Sequence, residues 1–411
     1  MNPNRLSKTN LKVEFPLSGG IPERAIRGTV EILETSSGHD VASIRYTGAI
    51  KNVEQRFRTG APVRISWSNR YGKSEFVGYV HHTRPEYDAD MIRVEIVCIG
   101  ASFAFLNTNQ RSWENVTADL VIRQLAAENG FKAITEPHPR IYKTLHQDGI
   151  SDWALMRRLS KDTGYPVNCE GVNLVSVSRN SYAEYYKPLA QSFLYHVDSD
   201  AGYKFSDIFS FRPSIGDYLP EMGTTNAERS VTAIDPYTGE SLLLSGKLET
   251  GAANRAPFTT PAVRVSNTPS EAQSILSGKL ESNRFAYQAK IEMVGSPEVH
   301  PEKQIYLRGV PNPYGGYWTA ITVRHKFISS AQYTMTVDVG SDTLTGDTSA
   351  PNADLSDERS SSAIIRRIPE KLSNPLSTPH ATGVISTDQV ITGRTGVALQ
   401  YARWYAENTA A

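Results

Sequence analysis

The side chains that could do chemistry are few and scattered in this sequence. Its two cysteines, Cys98 and Cys169, lie in neither a Cys-x-x-Cys pair nor a Cys/His cluster with zinc spacing. We predict that both are small buried hydrophobic residues. Asp88 and Asp90 could bind calcium, but no further carboxylates follow at EF-hand spacing. Aspartate is common in turns between strands, so we predict a turn there.

The histidines show no catalytic spacing. His81 and His82 are adjacent in a segment with strand character, so one should face the core and the other the solvent. A nucleophile set beside a base is not visible, and the P-loop, H-E-x-x-H and G-x-S-x-G motifs do not occur. The sequence therefore predicts no catalytic, cofactor-binding or metal-binding residues, no cofactor, and a protein that is not an enzyme. It leaves the interface residues undefined.

Charge and length narrow the function classes. The chain has 411 residues, with 43 Lys+Arg against 43 Asp+Glu. At about 100–200 residues per domain this length predicts two to four domains. Zero net charge argues against a nucleic-acid-binding protein, which needs a basic surface, and against electrostatic membrane binding. No signal-peptide core and no 18-residue apolar run occur, so we expect synthesis in a cytoplasm and no membrane insertion.

The first hundred residues are predicted to be all-β. Short β-branched or alternating runs are separated there by Gly, Pro, Asn and Asp. The clearest alternation places Ile92, Val94, Ile96 and Cys98 on one face of a strand and Arg93 on the other. A barrel or sandwich is the expected architecture. The predicted strands are Leu11–Leu17, Ala25–Glu34, Asp40–Gly48, Pro62–Ser68, Glu75–His82 and Met91–Gly100.

A helical pattern follows and repeats at an offset of 34 residues. The sequence predicts amphipathic helices over Ser112–Phe131 and Gly149–Tyr165, with Thr117 and Ser151 as matching N-caps. Each helix ends at a Gly-aromatic pair, where glycine supplies the left-handed conformation. Two copies are too few for a solenoid, so we predict a compact α/β insertion. Its returning strand would contain Val172, Leu174, Val175 and Val177.

The chain then returns to strands. We predict strands at Ser192–Val197, Lys204–Phe211 and Ser230–Ile234, and a long loop or arm at Gly239–Pro261. The sequence Thr-Pro-Ser-Glu from Thr268 is a capping box with proline at the first helical position, so a helix should run from there to about Phe285. Later strands are predicted at Tyr287–Val294, Gln304–Val310, Tyr317–His325 and Gln332–Gly340.

The two β regions share an internal signal. Tyr71-Gly72 precedes Val80 by nine residues and His82 by eleven, and Tyr314-Gly315 stands at the same distances before Val323 and His325. An alternating strand precedes and follows each block. Such a match can arise by chance; the alternative is a duplicated β-domain, with the insertion and the arm between the copies. Duplication would give this pair of histidines a packing or hydrogen-bonding role.

We predict four regions along the chain. These are a first β-domain at 1–107, an α/β insertion at 108–180, a second β-domain with an arm and a capped helix at 181–340, and a linker with a C-terminal arm at 341–411. The last region is rich in Ser, Asp, Asn and Pro up to Pro379. A final helix is predicted at Thr395–Asn408. It resembles the opening helix of cysteine peptidase domains of phage tails, but the catalytic Cys and His of that family do not follow it before Ala411.

Two stretches resemble phage baseplate and tail hub proteins. Gly149–Val177, with Gln147 before it, is similar to the family segment that runs from Gln-Gly through Ser/Thr-Asp to Gly-Tyr. Tyr317–Thr319, Val323–His325 and Tyr333–Met335 are similar to the family's C-terminal strands. The family includes late-control-type hubs and the N-terminal part of type VI secretion spike proteins. No OB-fold and needle follow residue 340, unlike in the spike proteins.

The resemblance implies a fold and a set of partners. The fold would be α+β and mainly β, with two tube-like β-barrel or sandwich domains, a small α/β insertion and an extended C-terminal arm. Family hubs are homotrimers whose two tube-like domains per chain make a ring of six similar units. The implied partners are the tail tube or a distal tail protein, the spike or tip protein, and a tape measure protein as a further candidate. The implied location is the virion, after assembly in the host cytoplasm.

Three functions remain open at this stage. The first is a structural hub that joins a sixfold tail tube to a threefold spike or tip, with DNA passing through its lumen without specific binding. The second is a cell-wall-degrading tail enzyme, or a carrier of a peptidoglycan hydrolase, suggested by the last helix. The third is a carbohydrate-binding tail protein, suggested by 38 aromatic residues (5 Trp, 20 Tyr and 13 Phe) and by the Tyr/Ser/Thr-rich middle of the chain.

Overall fold

The fold is mainly β. The computed structural model describes residues 9–16, 19–21, 29–36, 38–48, 57–87, 92–178, 181, 192–194, 206–215, 228–234, 241–247, 260–266, 285, 287–311, 313–329, 332–341 and 344. Asp88, Asp90, nearly all of the helix predicted after Thr268 and the final helix at Thr395–Asn408 lie outside these residues. Within the described ranges neither helix has the length and apolarity that a membrane crossing requires.

Twenty-one strands and two α-helices are found among the described residues. The strands are β1 Asn10–Phe15, β2 Gly19–Ile21, β3 Val30–Thr35, β4 Val41–Gly48, β5 Pro62–Asn69, β6 Gly72–Tyr87, β7 Ile92–Gly100, β8 Thr108–Thr117, β9 Lys132–Thr135, β10 Ile141–Ser151, β11 Val167–Glu170, β12 Asn173–Ser176, β13 Ser192–Leu194, β14 Ile208–Ile215, β15 Glu228–Ile234, β16 Ser241–Lys247, β17 Thr260–Ser266, β18 Tyr287–Val294, β19 Gln304–Arg308, β20 Gly316–Ser329 and β21 Gln332–Ser341. The helices are α1 Ala118–Glu128 and α2 Asp152–Thr163, and a short 3-10 helix covers Ala101–Phe105.

The alternation predicted in β7 is confirmed. Val94, Ile96 and Cys98 are buried, whereas Arg93 on the opposite face is exposed. Period-two alternation of this kind places one face of a strand in the core and the other in solvent. It recurs in β1 and β3, where every second residue is buried.

Thirteen strands form one sheet in which two sets of six have the same order. The first set runs β3-β4-β7-β6-β5-β1, and the second runs β14-β18-β21-β20-β19-β13. Tyr71-Gly72 lies at the turn between β5 and β6, and Tyr314-Gly315 lies just before β20, so the sequence match falls at equivalent points. One difference is direction, because β1 is antiparallel to β5 whereas β13 is parallel to β19.

The two sets are joined edge to edge by β3 and β20. Residues Thr322–Phe327 of β20 pair antiparallel with Val30–Thr35. The same edge of β20 pairs with β19 over Gly316–Thr319, so β3 occupies the C-terminal part of that edge. Phe327 and Tyr333 lie on β20 and β21 of the second set, but they are buried in the hydrophobic core of the first set. The first set and the second therefore share packing across this joint.

The insertion is a repeat of two strand-helix-strand units. The units are β8-α1-β9 and β10-α2-β11, and the 34-residue offset relates all three elements. Strands β8 and β10 pair antiparallel, with Ser112 opposite its own counterpart His146. An antiparallel pair centred on equivalent residues has a local twofold axis, so the two units face each other. Strand β12, which was predicted from its valines, completes a three-stranded sheet with β9 and β11.

Both predicted helices exist, but they begin later than expected. Ser112–Thr117 belongs to β8, whose alternating exposure is typical of a strand and whose backbone pairs with β10. The predicted caps are correct in position: Thr117 and Ser151 are the N-cap residues, and Ser151 Oγ accepts a hydrogen bond from the backbone N–H of Ala154. Gly164 ends α2 with φ of 76°, as the left-handed cap requires.

The arm predicted at Gly239–Pro261 is wrong in part. Ser241–Lys247 forms strand β16, which pairs antiparallel with β15 in a three-stranded sheet that also contains β17. Small and polar residues around Leu242–Leu244 obscured this strand in the sequence. Pairing with a neighbour satisfies the backbone N–H and C=O groups of such a segment, and this is a tertiary effect that local composition does not report.

Candidate functional site

Three buried ionisable side chains meet at the joint between the two sets of strands. Glu34 comes from β3, His325 from β20, and His300 from the turn before β19. His325 stands opposite Ile32 in the register, two residues from Glu34, so its side chain shares a face with the carboxylate. Glu34 is 7% exposed, His300 8% and His325 0%.

Three of the four contacts in this cluster are within hydrogen-bond distance. Glu34 Oε2 lies 2.6 Å from His300 Nδ1 and 3.9 Å from His325 Nε2. His325 Nδ1 lies 2.7 Å from the hydroxyl of Tyr333, and His300 Nε2 lies 3.3 Å from Ser74 Oγ. The contacts connect β3, β6, β20 and β21 with the turn before β19. We call Glu34, His300 and His325 the joint cluster.

The electrostatics of the joint cluster favour an ionised carboxylate. Burial raises the pKa of Glu34, but the facing His300 and His325 outweigh this effect and hold that pKa well below its usual range. Burial raises the pKa of Tyr333 well above its usual value, so its hydroxyl keeps its proton. A carboxylate in a buried site is stable only when it is paired in this way.

A small cavity adjoins the joint cluster. Its volume is about 40 Å³, enough for one water molecule. The first set of strands, the insertion and the turn before β19 all contribute to its lining, which consists of Glu34, Asp40, Glu75, Phe76, Val77, Asn168, Cys169, Glu170, Gly171, His300 and Pro301. The cavity therefore lies where three parts of the chain meet.

Sequence spacing identified only one member of the joint cluster. His325 was predicted to pack or to form hydrogen bonds, and its burial and its contact with Tyr333 confirm this. Glu34 and His300 were missed, because they lie 266 positions apart in the chain. The available signal was a glutamate at an inward position of an alternating strand, next to Ile32 and Val30.

The paired histidines of β6 lie at the surface. His81 is exposed and His82 is half-buried, with their Nδ1 atoms 2.7 Å apart. The prediction that one faces the core is met only in part, because His82 is half-buried, with its Nε2 shielded from solvent. A register shift between Val80 and His82 breaks the alternation of β6 against β7, and such a bulge redirects the side chains that follow it.

The hub-like segment of the insertion makes a structural network. Gln147 Nε2 donates to Asp152 Oδ1 at 2.8 Å and to the carbonyl of Ile150 at 2.9 Å. Asn109 Nδ2 donates to the same Asp152 oxygen at 3.0 Å, and Arg111 lies 3.7 Å from the other oxygen. Asp152 is the first residue of α2, where a carboxylate also interacts favourably with the helix dipole. These residues fix α2 against β8 and β10.

The two cysteines are free thiols, as their spacing predicted. Cys98 is fully buried in the first hydrophobic core and Cys169 is partly buried beside the cavity. Burial raises the pKa of both thiols, and Asp40 and Glu170 raise that of Cys169 further. The thiolate is the reactive species, so neither residue resembles a nucleophile.

Thiol reactivity gives a first testable prediction. In the native protein at pH 8, Cys98 should react with an aromatic disulfide reagent at least about tenfold more slowly than in urea, where both thiols have an ordinary pKa. The Cys169→Ser variant isolates the Cys98 signal in the assay. Equal rates in buffer and in urea would contradict the buried, protonated thiol.

Among the strand edges in the described part of the chain that have no pairing partner, two belong to the counterparts of β3 and β20. The outer edge of β14 is one, since β14 pairs only with β18. The other is the stretch of β6 from His81 to Tyr87, which lies beyond the end of β5 and pairs only with β7. Tyr87 at its end is 70% exposed. Free edges offer unpaired N–H and C=O groups to another strand.

Solved structures of similar fold identify the fold of this chain. A tail protein from Neisseria meningitidis matches with a TM-score of 0.61 at 10% identity, over 82% of this chain and 98% of its own. A 43 kDa tail protein of prophage MuSo2 from Shewanella oneidensis matches with a TM-score of 0.57 at 12% identity, over 80% and 98%. The chain has a phage tail protein fold. No protein-family model matches the sequence, and a search of curated proteins finds no similar sequence.

The tail protein fold also occurs outside phages. An E. coli component of the type VI secretion system, described as similar to two tail proteins of bacteriophage T4, matches with a TM-score of 0.50 at 11% identity, over 83% of this chain and 79% of its own. These matches confirm the resemblance to tail hub and secretion spike proteins at the level of the fold. Such low identity is compatible with one fold, because cores need apolar residues of suitable size more than particular ones.

Proposed function

We propose that the chain is a structural hub of a bacteriophage tail tip or baseplate, without catalytic activity. In this proposal it forms a homotrimeric ring that adapts the sixfold tail tube to a threefold spike or tip complex and leaves a channel for the genome. The proposed regions are tube-like β-domains at 1–107 and 181–340, an α/β insertion at 108–180 and an arm at 341–411. The tail protein fold supports a structural role in the tail.

The observation that carries the ring is the joint between β3 and β20. In the shared strand order, β14 is the counterpart of β3, and β6 is the counterpart of β20. The outer edge of β14 and the free stretch of β6 are therefore the counterparts of the two edges that pair in the joint between β3 and β20. We expect β14 of one copy to pair antiparallel with His81–Tyr87 of the next copy.

Such a joint closes into a ring. It brings two different edges together, and head-to-tail contacts of this kind form rings when the rotation closes. The joint between β3 and β20 within a chain would alternate with the joint between β14 and β6 of neighbouring chains. If both joints rotate successive sets of strands by similar angles, three chains give six similar units. Pro85 in β6 and Pro213 in β14 each lack one backbone donor, so pairing would use the residues on either side. Zero net charge suits a lumen through which DNA passes without binding.

The mass of the assembly tests this proposal. Mass photometry of the full chain should give a particle of three times the 45.4 kDa chain mass. A variant at the exposed β14 residues Arg212 and Ser214 tests the proposed pairing of β14 with β6. The double change Arg212→Asp/Ser214→Asp should weaken the trimer at least about tenfold, because charges on a strand edge oppose pairing.

The control places the same charge change on another exposed strand. Lys143→Asp/Thr144→Asp on β10 should leave the trimer unchanged, since both residues are exposed and belong to neither strand of the proposed joint. A wild-type monomer at micromolar concentration, both alone and with tube and spike proteins, would contradict the hub. A trimer that is insensitive to the β14 change would contradict the pairing of β14 with β6.

A further inference from the structure

We propose that the joint cluster binds a divalent transition-metal ion of the zinc class, with Glu34, His300 and His325 as protein ligands. Two imidazoles and a carboxylate are a ligand set that zinc accepts, with a water molecule or another group in the fourth position. The three ligand atoms lie within 4.8 Å of one another, and all three residues are buried. The proposal is independent of the hub function and of the oligomeric state.

The unpartnered nitrogen of His325 points to a missing ligand. His325 is 0% exposed, and among the described residues no partner lies within hydrogen-bond distance of its Nε2. Buried nitrogens without a partner are rare in folded proteins because they lose their hydration and gain nothing in return. This atom faces Glu34 Oε2 at 3.9 Å, which is too long for a hydrogen bond. A cation between them would give the lone pair of Nε2 a partner.

Tyr333 orients His325 for this role. Its hydroxyl lies 2.7 Å from Nδ1, the ring atom opposite the unpartnered one. In the tautomer that metal binding requires, Nδ1–H donates to this oxygen and Nε2 presents its lone pair to the cluster. Metal-binding histidines commonly use their second nitrogen in this way, which fixes both tautomer and ring orientation.

The distances fit a tetrahedral ion after a small adjustment. Ligand bonds of about 2.0–2.1 Å at tetrahedral angles place the ligand atoms about 3.3 Å apart. The two measured separations from Glu34 Oε2, 2.6 Å to His300 and 3.9 Å to His325, lie on either side of that value. These two pairs therefore need shifts of well under 1 Å per atom, and the third pair of ligand atoms also lies within 4.8 Å.

The surroundings favour a cation and supply space for its last ligand. The adjoining cavity is lined by the site residues Glu34 and His300, and its volume of about 40 Å³ can hold one water molecule. The carboxylates of Asp40 and Glu170 also line it, whereas the charge of Glu75 is compensated by Arg64, 2.7 Å away. A metal here would link β3, β20 and the turn before β19, and thereby hold the two sets of strands together.

Cobalt is the probe of choice for the test, because tetrahedral Co²⁺ absorbs visible light and zinc displaces it. The full chain, treated with a chelator and dialysed, should bind one Co²⁺ per chain with an intense visible absorption band. Zinc should abolish the band and raise the midpoint of thermal unfolding by about 5 °C. Glu34→Gln and His300→Gln should each remove both the band and the thermal shift.

Two controls separate this site from others. His81→Asn/His82→Asn removes the exposed histidine pair and should leave the cobalt band intact. Circular dichroism of each variant without metal shows whether the fold persists, and His300→Gln, at the rim of the cavity, provides a second variant if Glu34→Gln unfolds. Absence of the band from folded wild-type protein would overturn the proposal. So would a band that survives in both ligand variants or disappears with the exposed pair.

Discussion

Alanine at Glu34 is expected to lower the free energy of unfolding at pH 7 by about 3–5 kcal/mol in metal-free protein, the range for removing one member of a buried ion pair. The change leaves His300 and His325 buried without the carboxylate that they face at 2.6 and 3.9 Å. Urea unfolding, followed by tryptophan fluorescence, measures the difference from wild type. Trp67 lies 5.2 Å from the His325 ring and therefore reports on this region.

The acid dependence of this effect has a definite sign. The pKa of Glu34 is lowered in the folded state, so its contribution is complete above the unfolded value of about 4.5 and is lost as the pH falls below it. The gap between wild type and Glu34→Ala should thus be largest above pH 5 and shrink towards pH 3. Glu31→Ala is the matched control on the same strand. Its partner Lys326 is exposed, so that pair contributes only about 0–1 kcal/mol. A Glu34 effect no larger than the Glu31 effect would contradict the buried pair.

Alanine at Phe327 is expected to lower the free energy of unfolding by about 3–5 kcal/mol, as for other buried aromatic side chains. Phe327 is 2% exposed and stacks on Tyr333 with ring centroids 4.4 Å apart. It also packs edge-on against Trp67 of the first set of strands, with ring centroids 5.7 Å apart. Phe327 belongs to β20 of the second set, but the cavity left by its removal would open in the hydrophobic core of the first set.

Hydrogen exchange locates this damage. Phe327→Ala should reduce amide protection in β1 and β5 of the first set as well as in β20 itself, because the core is shared across the joint. Val337→Ala is the control, since Val337 is buried wholly within the core of the second set. It should reduce protection in β18 and β20 but leave β1 and β5 unchanged. Protection in β1 and β5 that is identical in the two variants would show that the sets of strands are energetically independent.

Local sequence patterns predicted the elements of this chain well where periodicity or a cap alone sets the conformation. Alternating apolar residues predicted β7, and Thr117 and Ser151 were correctly predicted as N-caps, although the predicted helix ranges began earlier. The 34-residue repeat was visible in the helices, but its strands were not, because β8 is largely polar and continues directly into α1. Its pairing with β10 decided its conformation, and pairing is a property of two distant segments.

Local sequence patterns were enough to predict the mainly-β class, the place of the two-helix repeat and the repeated Tyr-Gly, Val and His spacing that marks β6 and β20. These follow from periodicity and turn chemistry, which act over a few residues. Long-range folding sets the pairing of β3 with β20, leaves β14 and the end of β6 with one partner strand each among the described residues, and brings Glu34 to His300 and His325. Each of these depends on residues hundreds of positions apart, whose contact is fixed by sheet register and core packing and leaves no local pattern in the chain.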